Sequence, residues 1–429
     1  MSDNFNRREI LKTGIAAAGL LVGAGLTGSR RANAQPPGRE QPGRPAKPPS
    51  VPVAIQRAAD YEPQPLRQAL DKTLDFIGGI RKLVEGKTVA VKINVTGGPG
   101  TLAGLPGYRT YHVHPNLLAA LCGAISDAGA RRIVIVESQY SSKTPEEVLS
   151  SGGWDIRAIK AAGGQRVTFE DTRNRGAWPH YCRLKVPWGG FVFGAFDLNA
   201  RYEKTDVMVS LAKLKDHTAA GVTMAVKNLF GIAPNSLYGD GAPNEECLAA
   251  RGKILHQGTQ GVPAGVPGEL ARSWPNHWKR RVPRITADLA GARPIDLAIV
   301  DGIETTRGGE GPWTSTAEPI RPHLLLAGRN AVCSDAISTA AMGYDPQAPH
   351  GSFPFPGDNH LLLLAQVGVG AIDPKQIEVR GLPLEKALFP FNPKRLPLAD
   401  PGVYNALPRG GWRAGSPPEP EADRTCSPA

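Results

Sequence analysis

Two lysines, an aspartate and a histidine stand within Lys213-Leu214-Lys215-Asp216-His217-Thr218, and Lys227-Asn228 follow nine and ten residues after Thr218. Ammonium groups beside a helix N-terminus suit an oxygen anion such as phosphate or carboxylate, because the first backbone N–H groups of a helix lack intrahelical partners and carry partial positive charge. The spacing predicts a helix from Thr218 to Phe230, capped by Thr218 or Asp216. On that reading Lys215, His217 and Lys227 are candidate catalytic residues, the lysines neutralising developing charge and His217 acting as acid or base. Lys92, Asn94, Lys213, Thr218 and Asn228 are candidate contacts to a small anionic ligand. The alternative is a solvated face with an ordinary helix cap, in which His217 is a structural histidine.

A second cluster, Asp301-Gly302-Ile303-Glu304 followed by Gly308-Gly309-Glu310-Gly311-Pro312, puts an acid at the end of an apolar run and then glycines that permit close backbone approach. That pattern is compatible with a divalent metal or a phosphate-type ligand, and Glu137, His256, Asp301 and Asp335 form the candidate metal set. An Asp-Gly turn is the plain alternative for Asp301. For Asp335, among the small residues of AVCSDAISTAAM, it is a helix-dipole partner.

Other chemistries find no motif. GxSxG, GxGxxG after a strand, GxxxxGK[ST] and HExxH are all absent. The five cysteines, Cys122, Cys182, Cys247, Cys333 and Cys426, form no CxxC pair, so no cysteine-ligated iron-sulfur or zinc motif is present. Cys122 and Cys333 read as core residues. The formal charge of +11 is spread along the chain without a basic block interleaved with aromatics, which argues against a nucleic-acid partner.

The elements that must position these residues alternate. TVAVKINV at 88–95, RIVIVE at 132–137, DVMVSL at 206–211, LAIVD at 297–301 and 324–327 read as strands. Helices are expected at 116–128, 331–342 and 360–367. Nearly continuous apolar strands separated by helices predict an α/β fold with a mainly parallel sheet covered on both faces, interrupted by long Gly/Pro-rich insertions at 96–107 and 258–283. In such sheets ligands bind beyond the carboxyl ends of the strands, which is where Lys92, Asn94, Glu137, Lys213–His217 and Asp301 fall. The folded domain is expected over 53–393, after a Pro/Gly/Arg-rich linker at 35–52 and before a Pro-rich tail at 394–429.

The N-terminus carries a separate message. Arg7-Arg8, an uncharged stretch from Thr13 to Ser29 with five glycines, and Ala32-Asn33-Ala34 predict a twin-arginine signal peptide over 1–34, cleaved after export through the twin-arginine (Tat) translocase. The stretch is short and weak for a span of a hydrocarbon core about 30 Å thick, so no membrane anchor is expected after cleavage. The mature chain, with a charge near +8, is expected in the periplasm or otherwise outside the cytoplasm.

The ordered motifs VAVKINV with His114-Pro115, VIVES, KLKDHTAAGVTMAVKNLFG, His256, IDLAIVDGIE with GGEGP, and AVCSDAISTAAMGYDP with VGVGAIDPKQIEV resemble the domain of unknown function 362 (DUF362) family over about Val89 to Val379. Some members of that family carry an appended ferredoxin-like module with cysteine clusters, which this sequence lacks. The resemblance therefore implies the fold and a shared set of positions, with no assigned reaction. Three functions follow: a metal-assisted enzyme acting on a small anion, a binding protein or cofactor carrier for such an anion, and an accessory protein of an exported redox system.

Overall fold

The computed structural model describes residues 47–392 except 176, 243–244 and 271–276, together with the strand Asn4–Phe5, which pairs antiparallel with Tyr181–Cys182. The twin-arginine segment and its cleavage site, most of the expected linker and the expected tail lie outside the described residues.

Eight strands form the central sheet: β1 (Val53–Arg57), β2 (Thr88–Lys92), β3 (Arg132–Glu137), β4 (Val167–Asp171), β5 (Val207–Lys213), β6 (Leu297–Gly302), β7 (Leu324–Gly328) and β8 (Val379–Gly381). Their spatial order is β8-β1-β7-β6-β5-β2-β3-β4. Every neighbouring pair is parallel except β6–β7 and β7–β1, so β7 alone runs against the rest. The expected mixed α/β fold with a mainly parallel sheet is the fold observed.

The strands are apolar because both of their faces are covered. Val89 and Val91 of β2 and Leu297 and Ile299 of β6 pack into one core with α1 (Pro63–Phe76), α2 (Pro115–Asp127) and α3 (Ile156–Gly163). The alternate residues Ala90, Ala298 and Val300 face the other side. There they meet α4 (Met224–Asn228), α5 (Trp278–Ala292), α6 (Ala331–Ala341) and α7 (His360–Gln366). Helices α2, α6 and α7 fall within a residue of their expected bounds.

Two expectations change. The segment 258–283 is not one insertion, since α5 begins inside it at Trp278 and carries Pro283 in its interior. The helix expected from Thr218 is replaced by a small hairpin in which Asp216–His217 pairs with Gly221–Val222, and α4 starts only at Met224. Gly221 makes that turn possible. Its φ is +78°, and a Cβ there would lie 2.6 Å from the Phe355 ring.

Strand order sets where a site can form. From β2 the chain steps outward to β3 and β4, then returns to the opposite side of β2 as β5 and continues away through β6 and β7. The switch point therefore lies between the carboxyl ends of β2 and β5. Lys92 ends one of these strands and Lys213 the other.

Candidate functional site

Each strand end delivers a buried lysine, and three of the four lysines around the switch point are tied into hydrogen bonds. Lys92 Nζ donates to Glu137 Oε2 at 2.8 Å, to the Ile93 carbonyl at 2.7 Å and to Asn228 Oδ1 at 3.2 Å. Gly231 permits this packing, because a Cβ at that position would stand 2.9 Å from Lys92 Nζ. Burial lowers the Lys92 pKa and raises that of Glu137, and the attraction within the pair opposes both shifts.

Asn228 locks the two strand ends together. Its amide donates to the Lys92 carbonyl and to Ser210 Oγ, while its oxygen accepts from Asn94 Nδ2 at 3.1 Å. Asn94 Oδ1 is buried without a partner among the described residues.

Lys213 belongs to a closed network. Its Nζ lies 2.9 Å from Asp301 Oδ2 and 3.2 Å from the Tyr61 hydroxyl, which donates to Asp301 Oδ1 at 2.7 Å. The His114 backbone N–H also donates to Asp301, and the His114 ring stacks on Tyr61 at 3.7 Å between centroids. Lys213 and Asp301 are both fully buried.

Lys215 bridges two loops. Its Nζ donates to the carbonyls of Tyr111 at 2.7 Å and Glu310 at 3.0 Å. Burial lowers its pKa to about 7, with Glu310 opposing the shift. The Glu310 carboxylate comes from the GGEGP segment and accepts from the Thr218 N–H, the Thr218 hydroxyl and Trp313 Nε1. Asp216 is held by the Gly308 N–H and the Tyr344 hydroxyl.

His217 has its tautomer fixed by the hairpin turn. Nδ1 accepts from the backbone N–H of Ala219 at 3.1 Å and of Ala220 at 3.3 Å. The ring proton must then sit on Nε2, which has no hydrogen-bond partner among the described residues. Burial, followed by the nearby Lys227 charge, drives its pKa well below the ordinary value, so His217 is a neutral N–H donor. His256 is the reverse case: its Nδ1 meets the Arg251 carbonyl at 3.1 Å and must donate there, and burial lowers its pKa to about 4.

Lys227 stands apart. It is buried to 7% exposure, and its Nζ lies 4.1 Å from the centre of the Phe230 ring. No hydrogen bond or ion pair reaches that amine among the described residues. Burial lowers its pKa to about 7; Glu310 opposes the shift, and Arg251 and Lys92 add to it. Arg251 in turn is fixed by the Ala233 carbonyl, Tyr140 and Asn235.

The expected metal set does not converge. Glu137 is paired with Lys92, Asp301 with Lys213 and Tyr61, and Asp335 accepts the backbone N–H groups of Ala225 and Val226 at 2.9 and 2.7 Å. Among the described residues no group of three or more His, Cys, Asp or Glu side chains is arranged to hold a metal ion. The helix N-terminus expected to bind the anion is also taken. It belongs to α4, and Asp335 of α6 caps it. Thr218, Ala219 and Ala220, expected as free N–H donors, give theirs to Glu310 and His217.

The two sequence clusters nevertheless meet. Lys213 and Asp301 are register partners, and His217, four residues further on, can lie no more than about 14 Å beyond Lys213 even when fully extended. Tyr61, Tyr111, Arg251, Glu310 and His360 join the site without having been singled out as site residues. Of these only Glu310 carried a sequence signal, its place between the glycines of GGEGP. A separate cleft of about 390 Å³ lies at the Arg109–Glu304–Arg321 cluster, where both arginines already neutralise Glu304.

Fold and site together define a doubly wound α/β domain with a cluster of buried basic side chains at its switch point. The chain belongs to the DUF362 family, a domain of unknown function whose model matches residues 89–340. A thylakoid-associated protein of Synechocystis sp. is 24% identical over 302 residues, covering 68% of this chain and 75% of its own. A solved structure from Thermotoga maritima is similar at a TM-score of 0.35 and 10% identity, over 67% of this chain and 60% of that one, so less than two thirds of its length is spanned. No helix among the described residues is long and apolar enough to cross a membrane.

Proposed function

We propose that this protein is exported by the twin-arginine route and binds a small anionic ligand, a carboxylate or a phosphate-type group, at the β2/β5 switch point. The observation that carries the reading is the Lys227 amine, buried among Lys92, Lys215 and Arg251, with Glu310 acting on it but no hydrogen-bond acceptor of its own among the described residues. A cation in that position is costly unless an anion joins it. The neutral Nε2–H of His217 supplies a second donor, and Lys215 has one N–H beyond the two given to carbonyls. Lys92, Asn94, Lys213, Thr218 and Asn228 act by holding the walls of the pocket.

The anion is proposed without a metal, because the carboxylates of the expected metal set already answer lysines or backbone N–H groups. If the bound anion is turned over, Lys227, whose amine unlike that of Lys215 is not tied to carbonyls, is the group placed to exchange a proton near neutral pH, with His217 donating a hydrogen bond to developing negative charge. A relative described as thylakoid-associated is in keeping with an address outside the cytosol.

Calorimetric titration of the mature protein with sulfate, which does not itself titrate, tests the site. Lys227→Ala should weaken binding by about 1.5–3 kcal/mol, roughly 10- to 150-fold, the range of a charge-assisted hydrogen bond. Equal affinity in the variant would remove Lys227 from the site. Export is tested by replacing Arg7 and Arg8 with Lys: precursor should stay in the cytoplasm, and undiminished mature protein outside it would contradict the twin-arginine reading.

A further inference from the structure

We propose that Lys227 forms a reversible imine with its ligand, and that the ligand class is therefore a small oxo acid, a carboxylate with an adjacent carbonyl group. This rests on the anion reading above and deepens it. Four buried lysines surround the switch point, and the architecture treats them differently. Lys92 and Lys213 each have a carboxylate partner, and Lys215 has two backbone carbonyls. Burial lowers the pKa of all three, to about 7 for Lys215, but each amine is held in one position by its acceptors and is not free to reach a carbonyl carbon.

Lys227 has only the face of Phe230. The groups that act on it are Glu310 on one side and the cations Arg251 and Lys92 on the other, and it in turn depresses the basicity of His217, His256 and His360. A desolvated amine among other cations is the setting in which a lysine keeps a lone pair near neutral pH and becomes a nucleophile. A plain anion-binding lysine would gain nothing from that suppression.

The surroundings fit a carbonyl compound with a negative end. Lys215 and the His217 N–H can receive the carboxylate, while the Phe230 ring and the burial of these side chains disfavour hydrolysis of the product. In the reaction the Nζ lone pair adds to the carbonyl carbon, and the carbonyl π pair moves to oxygen. Both hydrogens of the neutral amine then leave with that oxygen as one water, giving C=N in place of C=O. No oxidant or reductant is consumed.

The test uses pyruvate with sodium cyanoborohydride on the mature wild-type protein, read by intact mass and peptide mapping. We expect one adduct at Lys227, suppressed by sulfate and absent in Lys227→Arg, which keeps a cation for the anion site. The two activities should also separate by pH: sulfate affinity falls as pH rises through about 7, because the amine loses its charge, while the adduct forms faster over the same range. Adducts spread evenly over exposed lysines, or equal labelling of Lys227→Arg, would overturn the imine. Sulfate binding that depends on Lys227, with no adduct from pyruvate, glyoxylate or 2-oxoglutarate, would overturn the imine and leave the anion site standing. Absence of sulfate binding together with a Lys227 adduct would overturn the anion site instead.

Discussion

Lys213 and Lys227 are two buried ammonium groups at the same edge of one sheet, yet they answer burial in opposite ways. Lys213 is enclosed with Asp301 and Tyr61 in a set whose hydrogen bonds close on themselves, and that set ties β5 to β6 and to the start of α2. Lys227 is enclosed with an aromatic face, the cations Arg251 and Lys92, and the Glu310 carboxylate, which acts on it without a hydrogen bond. Burial alone therefore does not mark a functional lysine. What separates the two is whether the fold places the counter-charge in direct contact with the amine.

The largest effect expected from this contrast is on stability at Asp301. Asp301→Asn should cost about 3–5 kcal/mol, because it leaves the Lys213 charge buried and uncompensated. Denaturant unfolding measures this, and a loss below about 1 kcal/mol would mean that Lys213 is not held as a charged group. Pairing the change with Lys213→Met should recover much of the loss, since removing both partners removes the orphaned charge. Tyr61→Phe, which deletes one hydroxyl from the same network, should cost about 1 kcal/mol in the same assay. Lys227→Met should sit at the other extreme, with stability unchanged or raised by about 1 kcal/mol near neutral pH, since a buried amine without a hydrogen-bond acceptor is replaced by an apolar chain of similar length.

The sign with pH follows from the lowered pKa of Lys227. The unfolded chain binds its proton up to about 10.4, whereas the folded chain releases it near 7, so the unfolded state holds more protons between those values. The cost of burying Lys227 is thus greatest below pH 7 and is relieved as pH rises. The stability difference between wild type and Lys227→Met should shrink over that window. A difference that stayed flat from pH 6 to 9 would place the amine's titration elsewhere.

Much of the sheet was legible because its strands are buried on both faces and read as unbroken apolar runs. β3 has the expected bounds, and β2, β5, β6 and β7 differ only by short extensions or truncations. The segment after Lys215 misled for an equally physical reason. Its alanines and the later VKNLF suit a helix, but Gly221 in a left-handed conformation and the His217 ring, accepting two successive backbone N–H groups, close a hairpin first. Asp335 was readable as a helix-dipole partner; the helix it caps is α4, some 110 positions earlier in the chain.

The lysines of the site could be found from their places at strand ends. Their partners could not, because Tyr61 reaches Asp301 across 240 residues and Glu310 reaches Lys215 across 95. No local pattern encodes such pairings. They appear only once strand order brings the ends together.

The Lys215 ammonium also couples two loops above the strand ends. It holds the Tyr111 carbonyl from one covering loop and the Glu310 carbonyl from another, and the Trp313 ring packs against Gly97, Gly311 and Tyr111 where those loops meet. Neither loop can lift without breaking its bond to the same nitrogen. Losing that nitrogen should loosen both loops at once, so in Lys215→Met amide exchange should rise along residues 108–113 and 308–316 together.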